Sequence, residues 1–113
     1  MSAFLDSNST SISKFFKVLY MWYISDSNIE GVGIFTDKLI KNGEFIDLAI
    51  DSYNNITNFG SKINHSWTPN ANLYKKNDLY YMVAIKDIYP HEEITANYMN
   101  TPDFIKKPNS DWK

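Results

Sequence analysis

Residues 63–71 of the chain read I-N-H-S-W-T-P-N-A, and residues 92–98 read E-E-I-T-A-N-Y. The first stretch holds His65, one of only two histidines. Taken singly, a histidine in such a polar stretch is more often a hydrogen-bonded structural residue than a metal ligand or a catalytic base. Tyr98, which ends the second stretch, is one of eight tyrosines and is uninformative by itself. The order and spacing of the two stretches therefore carry more information than either residue.

Two glycines precede these stretches, in the sequence E-G-V-G-I-F-T at residues 30–36. On their own, Gly31 and Gly33 favour a turn or bulge between strands. Because no third glycine follows and no helix pattern begins here, a dinucleotide-binding fingerprint is excluded. The functional alternative is a backbone left bare so that a ligand can approach closely.

The composition excludes several kinds of chemistry. The chain has 113 residues, the length of one domain, and no cysteine, which excludes disulfides, a thiolate nucleophile and a cysteine-ligated zinc. His91 stands in H-E-E-I-T rather than H-E-x-x-H, and no G-x-S-x-G occurs, so neither a zinc protease nor a nucleophile elbow is indicated. The net charge of −2 argues against nucleic acid as the main partner. We expect no metal site.

The N-terminal part shows a polar segment and then an apolar one. Residues 1–13 are rich in serine and predict a flexible tail. The run Phe15–Ile24 is rich in aromatic and β-branched residues and predicts a strand. It is too short to span a bilayer, and no basic region precedes it, so neither a membrane span nor a signal peptide is predicted. The expected location is intracellular, in the cytoplasm or, for a viral protein, in the host cell.

The rest of the chain predicts a mostly β domain. K-N-G-E at Lys41–Glu44 predicts a turn, and a strand over residues 44–50 follows it. The single apolar face of that strand would comprise Ile46, Leu48 and Ile50. Residues 51–62 have no clean period, and both a short helix and an irregular loop stay open. Strands from Asn72 and from Leu79, on either side of K-K-N-D, predict a β-hairpin.

G-V-G-I-F, I-N-H-S-W-T-P-N-A and E-E-I-T-A-N-Y, in this order and at these spacings, resemble the SET-domain family of protein lysine methyltransferases. The resemblance includes I-K-N-G-E from Ile40 and covers roughly Val18–Pro102. The size is similar to that of the small stand-alone SET domains of viruses and bacteria. The resemblance implies a fold of small curved β-sheets with a C-terminal pseudoknot. That pseudoknot would bring Asn64 and His65 next to Tyr98.

The resemblance also implies S-adenosylmethionine as the cofactor and a lysine of a protein substrate as the methyl acceptor. Tyr98 is the expected catalytic residue, next to the transferred methyl group. The expected cofactor-binding residues are Gly31, Val32, Gly33, Asn64, His65, Tyr98, Phe104 and Trp112. Candidates for the wall of the lysine channel are Tyr53, Leu73, Tyr74, Ala96 and Trp112. In relatives the positions of Leu73 and Ala96 set the room around the amine, and neither residue here can hold a water by a hydroxyl group. The resemblance therefore implies methylation beyond the first methyl group.

One departure from the family concerns zinc. Many relatives carry a cysteine after N-H-S that binds zinc together with a cysteine-rich segment, whereas this chain has Trp67 there and no cysteine. The zinc module is therefore expected to be absent as a unit. The expected organisation is a SET domain over residues 14–102 and a C-terminal tail over residues 103–113 that closes the active site. Phe104 and Trp112 are the residues available for that closure.

Two other readings stay open beside the enzyme. One is a catalytically weak SET-like module that binds the cofactor or a protein, and the other is a small β-fold interaction module whose motifs are only structural. Cofactor binding separates the last from the other two, and methyl transfer separates the enzyme from the weak module. The expected partner is a protein that carries a target lysine. No nucleic acid or membrane partner is expected, and a domain of this size could form a homodimer to complete its cleft.

Overall fold

The computed structural model of the chain describes residues 22–112. The predicted tail at residues 1–13 and residues 15–21 of the predicted first strand lie outside this range. Strands account for 41% of the structure, as the sequence predicts for a mostly β domain. The elements are β1 (Trp22–Asp26), β2 (Val32–Thr36), β3 (Phe45–Ile50), α1 (Asn58–Ser61), β4 (Asn64–His65), β5 (Ala71–Lys76), β6 (Leu79–Ala84), β7 (Glu93–Ala96) and a 3₁₀ turn (Tyr98–Asn100).

The strands form two sheets, one in the order β1-β2-β7-β4 and one in the order β3-β6-β5. In the first sheet β4 pairs with β7 in parallel, with Asn64 opposite Thr95 and His65 opposite Ala96. The short strand of the N-H motif therefore lies beside the strand that leads to Tyr98. In the second sheet β5 and β6 form the predicted hairpin, whose turn contains Asn77 with a φ of 57°.

Strand β3 departs from the prediction of a single apolar face. Ile46, Ala49 and Ile50 are all buried, although odd- and even-numbered residues of a regular strand lie on opposite faces. The reason is that the pairing with β6 shifts register twice, between Phe45 and Asp47 and again between Leu48 and Ile50. Each such bulge adds a residue to one strand and changes the face that the following side chains occupy.

The segment before the N-H motif, which the sequence left open, contains the single helical turn α1. Thr57 caps it: its hydroxyl oxygen accepts from the Gly60 backbone N–H at 3.0 Å and donates to the Leu48 carbonyl at 2.7 Å. A Cβ atom on Gly60 would collide with the carbonyl oxygen of Ala49. The capping bonds and the close approach fix this turn against β3, and with it the position of Ile63 at the start of the motif.

The core lies between the sheets and consists mainly of isoleucine. Its largest fully buried side chains are Ile34, Ile40, Ile46, Ile88, Ile94 and Thr36. Branched side chains of this kind suit the faces of β-strands because they lose little rotational freedom there.

One carboxyl group is buried at the edge of this core. Asp47, which is only 9% exposed, accepts from the Trp22 indole N–H at 2.9 Å and from the Leu48 N–H at 2.7 Å. Burial raises the pKa of Asp47, although the Leu48 and Trp22 donors partly oppose that rise. The buried acid therefore stabilises the fold best when it is protonated, and this stability is lost as the pH rises through its folded-state pKa.

We expect Trp22→Phe to lower the free energy of unfolding by about 1–3 kcal/mol at pH 7, because a buried carboxylate loses a donor. The effect should be smaller at pH 4, where more of the Asp47 carboxyl is protonated and the loss of a donor costs less. Urea denaturation of both proteins at the two pH values measures the difference. Equal destabilisation at both would instead assign the effect to lost packing against Phe59, whose ring lies 5.1 Å from that of Trp22.

Candidate active site

The side-chain amide of Asn64 joins three segments of the first sheet. Its Nδ2 atom lies at 3.1 Å from the Ser27 hydroxyl, 3.1 Å from the Glu30 carbonyl, 3.1 Å from the Val32 carbonyl and 2.8 Å from the Glu93 carboxylate. The Ser27 hydroxyl already donates to Glu93 at 2.7 Å, so all four partners can act only as acceptors toward this nitrogen. The amide orientation is thereby fixed, and Asn64 holds the G-V-G loop against β4.

The structure explains why both positions of that loop are occupied by glycine. Gly31 has a φ of +47°, in the left-handed region that favours glycine. A Cβ atom on Gly33 would collide with the Glu93 carboxylate, which is the partner of Asn64. The predicted contact of Gly31, Val32 and Gly33 with a cofactor stays a prediction.

His65 is almost completely buried, with 5% of its surface exposed. Its Nδ1 atom accepts from the backbone N–H of Tyr98 at 3.0 Å, across 33 residues of sequence. Burial lowers the pKa of His65, so the ring is neutral at pH 7 and its single proton sits on Nε2. Among residues 22–112, that Nε2 atom has no hydrogen-bond partner. His65 thus holds Tyr98 in place with one nitrogen and keeps an unused donor on the other.

Tyr98 opens the 3₁₀ turn that follows β7. Asn97 caps the turn by accepting from the Met99 N–H at 2.9 Å. The Tyr98 hydroxyl donates to the carbonyl oxygen of Ile63, directly before the N-H motif. Burial raises the pKa of Tyr98, so the hydroxyl stays protonated at neutral pH. Because its proton is engaged by Ile63, its oxygen lone pairs remain free to act as acceptors.

Two cavities share Tyr98 as a wall. The larger, which we call the polar cavity, has a volume of about 500 Å³ and is lined by Ile29, Glu30, Asn64, His65, Tyr98, Asp111 and Trp112. The smaller, which we call the apolar cavity, has a volume of about 290 Å³. It is lined by Ala49, Ile50, Ile56, Gly60, Ser61, Ile63, Leu73, Met82, Ala96, Tyr98, Thr101, Phe104, Ile105 and Lys106. Two compartments of different chemistry therefore meet at one tyrosine.

The C-terminal tail lies against both cavities. Trp67, at the position where many relatives carry the zinc-binding cysteine, donates its indole N–H to the Trp112 carbonyl at 2.8 Å. The Trp112 ring lies 6.0 Å from that of Tyr98 and 5.8 Å from that of His65. Earlier in the tail, the Lys107 ammonium donates to the Thr101 carbonyl at 2.7 Å. A tryptophan hydrogen bond thus joins this tail to the residue two positions after His65.

The structure brings two of the five predicted channel residues together in one cavity. Leu73 and Ala96 line the apolar cavity next to Tyr98, whereas Trp112 lines the polar cavity. Tyr53 is 84% exposed and lines neither cavity. Tyr74 also lines neither, because its ring packs on the outer face of the second sheet, 5.6 Å from the ring of Phe45. The extent of methylation expected from Leu73 and Ala96 stays a prediction.

Sequence reasoning missed three residues of the polar cavity, namely Ile29, Glu30 and Asp111. Ile29 and Glu30 immediately precede the G-V-G motif, and they, rather than the glycines, line the cavity. Asp111 stands beside Trp112, which was predicted. Their proximity to predicted residues was the only available signal, since none belongs to a recognisable motif.

Within the described part of the chain, no three histidine, aspartate or glutamate side chains converge in an arrangement that could hold a metal ion. None of the helices found in residues 22–112 is both long and apolar enough to cross a membrane.

The mostly β fold, in which the N-H motif pairs beside the strand that leads to Tyr98, is consistent with the SET-domain fold. A family model of the SET domain matches residues 46–99. A similar solved structure is the crystal structure of a Plasmodium falciparum protein described as a "putative histone methyltransferase". It is 24% identical, covers 69% of this chain and 92% of its own, and has a TM-score of 0.58. No curated protein sequence gives a significant match. The predicted fold class is confirmed.

Proposed function

We propose that the chain is a protein lysine methyltransferase that uses S-adenosylmethionine. The observation that carries the proposal is the position of Tyr98 between the polar and the apolar cavity. A reaction that joins a polar cofactor to a long aliphatic side chain needs two compartments of this kind with one shared wall. The SET-domain match over residues 46–99 and the methyltransferase description of the P. falciparum protein support the same activity.

The polar cavity suits the proposed cofactor in size and chemistry. Its volume of about 500 Å³ lies within the range of small-molecule sites. The buried Nε2–H of His65 is a donor that lacks a partner among residues 22–112, and an acceptor on a ligand would remove the cost of leaving it unsatisfied. Glu30 and Asp111 line the same cavity with carboxylates, which favour a ligand that carries positive charge.

When bound, S-adenosylmethionine would supply an electrophilic methyl group for an in-line displacement by an amine. The lysine must first be neutral, and at pH 7 only about one free lysine in 2,500 is. The apolar cavity, lined by Ile63, Leu73 and Met82, disfavours the ammonium form and so lowers the pKa of a lysine that enters it. The Tyr98 oxygen, whose own proton is directed to Ile63, could accept from an N–H of the neutral amine and so orient its lone pair.

The structure of the apolar cavity favours a lysine side chain as the acceptor, but the identity of the protein substrate is open to test. Core histones are a natural first candidate, because the P. falciparum protein with the same fold is described as a histone methyltransferase. We propose a protein rather than a nucleic acid as partner, since the net charge of −2 gives phosphate groups no electrostatic attraction.

Isothermal titration calorimetry with S-adenosylmethionine and S-adenosylhomocysteine tests the cofactor. We expect both to bind and to raise the thermal unfolding temperature, because a ligand that binds only the folded state stabilises it. Transfer of radioactive methyl groups to recombinant core histones then tests the reaction. Absence of binding at millimolar cofactor would contradict the proposed function. Binding without transfer to any protein would instead favour the alternative of a cofactor-binding module.

A charge variant tests whether the cofactor binds in the polar cavity. Asp111→Asn removes a carboxylate from the cavity wall, so it should weaken S-adenosylmethionine, which carries a sulfonium charge, more than S-adenosylhomocysteine, which does not. Asp78→Asn is the matched control, because Asp78 is exposed in the turn between β5 and β6. Equal behaviour of the two variants would place the cofactor elsewhere.

A further inference from the structure

We infer that Lys106 of the tail is itself a methyl acceptor, modified by the active site of its own chain. The inference rests on the proposed function and adds to it a specific modification site. It follows from the position of one lysine relative to the two cavities.

Lys106 lies at the junction of the two compartments. It is the one lysine among the residues that line the apolar cavity, where the proposed substrate amine would enter. Its ammonium nitrogen lies 5.9 Å from the centre of the Trp112 ring. Trp112 lines the polar cavity, and its ring is 6.0 Å from that of Tyr98. Lys106 therefore lines the same cavity as Tyr98, and its ammonium lies over a ring that neighbours the ring of Tyr98.

The neighbouring lysine is in a different situation. The Lys107 ammonium donates to the Thr101 carbonyl at 2.7 Å, to the Thr101 hydroxyl at 3.1 Å and to the Pro102 carbonyl at 3.2 Å. Together with the Tyr98 carbonyl at 3.5 Å, these acceptors hold the Lys107 ammonium in a structural role. Lys106, in contrast, is exposed and its ammonium lies over the Trp112 ring, so its side chain can change rotamer without breaking a hydrogen bond seen among residues 22–112.

The reaction is the proposed one, with the substrate supplied in cis. After the Lys106 ammonium loses a proton to water, its nitrogen lone pair forms a C–N bond to the methyl carbon. The bond between that carbon and the sulfonium sulfur breaks, and its electron pair returns to sulfur, which leaves neutral S-adenosylhomocysteine. Because the amine is tethered beside the site, it acts at a high effective concentration and needs no recognition of flanking sequence.

The test uses the full chain incubated with S-adenosylmethionine that carries a trideuterated methyl group, followed by tandem mass spectrometry. We expect labelled methyl groups on Lys106 and at least tenfold less label on Lys107. Tenfold dilution of the protein should leave the first-order rate constant unchanged, because the reaction is intramolecular. Lys86→Arg, at an exposed position outside both cavities, should give the same labelling as the wild type.

Lys106→Arg should remove the label while S-adenosylhomocysteine still binds within about threefold of the wild-type affinity, which shows that the variant is folded. Methylation of core histones together with an unlabelled Lys106 would overturn the inference and leave the proposed function standing. So would a labelling rate constant that rises in proportion to protein concentration. Failure to bind S-adenosylhomocysteine and to label any lysine would reject the proposed function itself.

Discussion

Replacing Tyr98 by phenylalanine is expected to lower the rate of methyl transfer by about a hundredfold or more, while cofactor affinity changes by less than about threefold. The substitution keeps the ring that separates the two cavities and removes only the hydroxyl. In the proposed mechanism the oxygen of that hydroxyl orients the reacting groups, so its loss should raise the energy of the transition state more than that of the bound ground state.

Single-turnover kinetics and calorimetry on the same preparations separate the two effects. Tyr89→Phe is the matched control, because it removes an exposed hydroxyl outside both cavities. Tyr98→Phe also leaves the Ile63 carbonyl without its donor, which should cost about 1 kcal/mol of stability. Loss of rate and of cofactor affinity by the same factor would mean that Tyr98 acts as a packing residue.

The pairing of His65 with Tyr98 shows which part of the site could be predicted. Both residues belong to motifs of specific spacing, and the family resemblance predicts that the fold joins them. The structure realises the contact as a hydrogen bond from the Tyr98 N–H to His65 Nδ1. Motifs are informative here because the parallel pair β4–β7 leaves little freedom: a shift by one residue would move His65 off Ala96 and break this bond.

Residues outside the motifs could not be placed in the same way. Tyr53 and Tyr74 were candidates for the channel because tyrosine suits such walls, but residue type does not determine where a side chain points. Tyr53 follows Asp51, whose carboxylate accepts from the Tyr53 N–H at 2.9 Å in an exposed turn. Tyr74 points to the outer face because its pairing with Tyr81 sets its side of the sheet. Each direction depends on a local turn or register that composition does not encode.

The register shifts in β3 show the same limit at the level of the fold. Alternation in residues 44–50 correctly predicts a strand, and it predicts one buried face. Two bulges against β6 bury Asp47 and Ala49 as well as Ile46. A bulge is a property of two paired strands, so the sequence of one strand is insufficient to reveal it. Its consequence matters for the site, since Ala49 and Ile50 become part of the wall of the apolar cavity.

The second large effect is expected from deletion of the C-terminal tail. Deletion of residues 103–113 is expected to weaken cofactor binding by more than about tenfold, which corresponds to about 1.4 kcal/mol. The deletion removes Asp111 and Trp112 from the polar cavity, and it also removes the hydrogen bond that Trp67 makes to the tail. The five wall residues that remain would then be less covered, and a bound cofactor would bury less of its surface.

Two single substitutions separate the roles of the tail aromatics, because the structure assigns them to different cavities. Trp112→Ala should account for most of the loss in cofactor affinity, since Trp112 lines the polar cavity and stands 5.8 Å from the His65 ring. Phe104→Ala should leave cofactor affinity within about threefold of the wild type and instead raise the KM for the protein substrate, since Phe104 lines the apolar cavity. Calorimetry with S-adenosylhomocysteine and steady-state kinetics on core histones measure the two quantities.

A truncated chain that binds cofactor as tightly as the full chain would reduce the tail to a surface segment. The Trp67–Trp112 hydrogen bond would then serve stability alone.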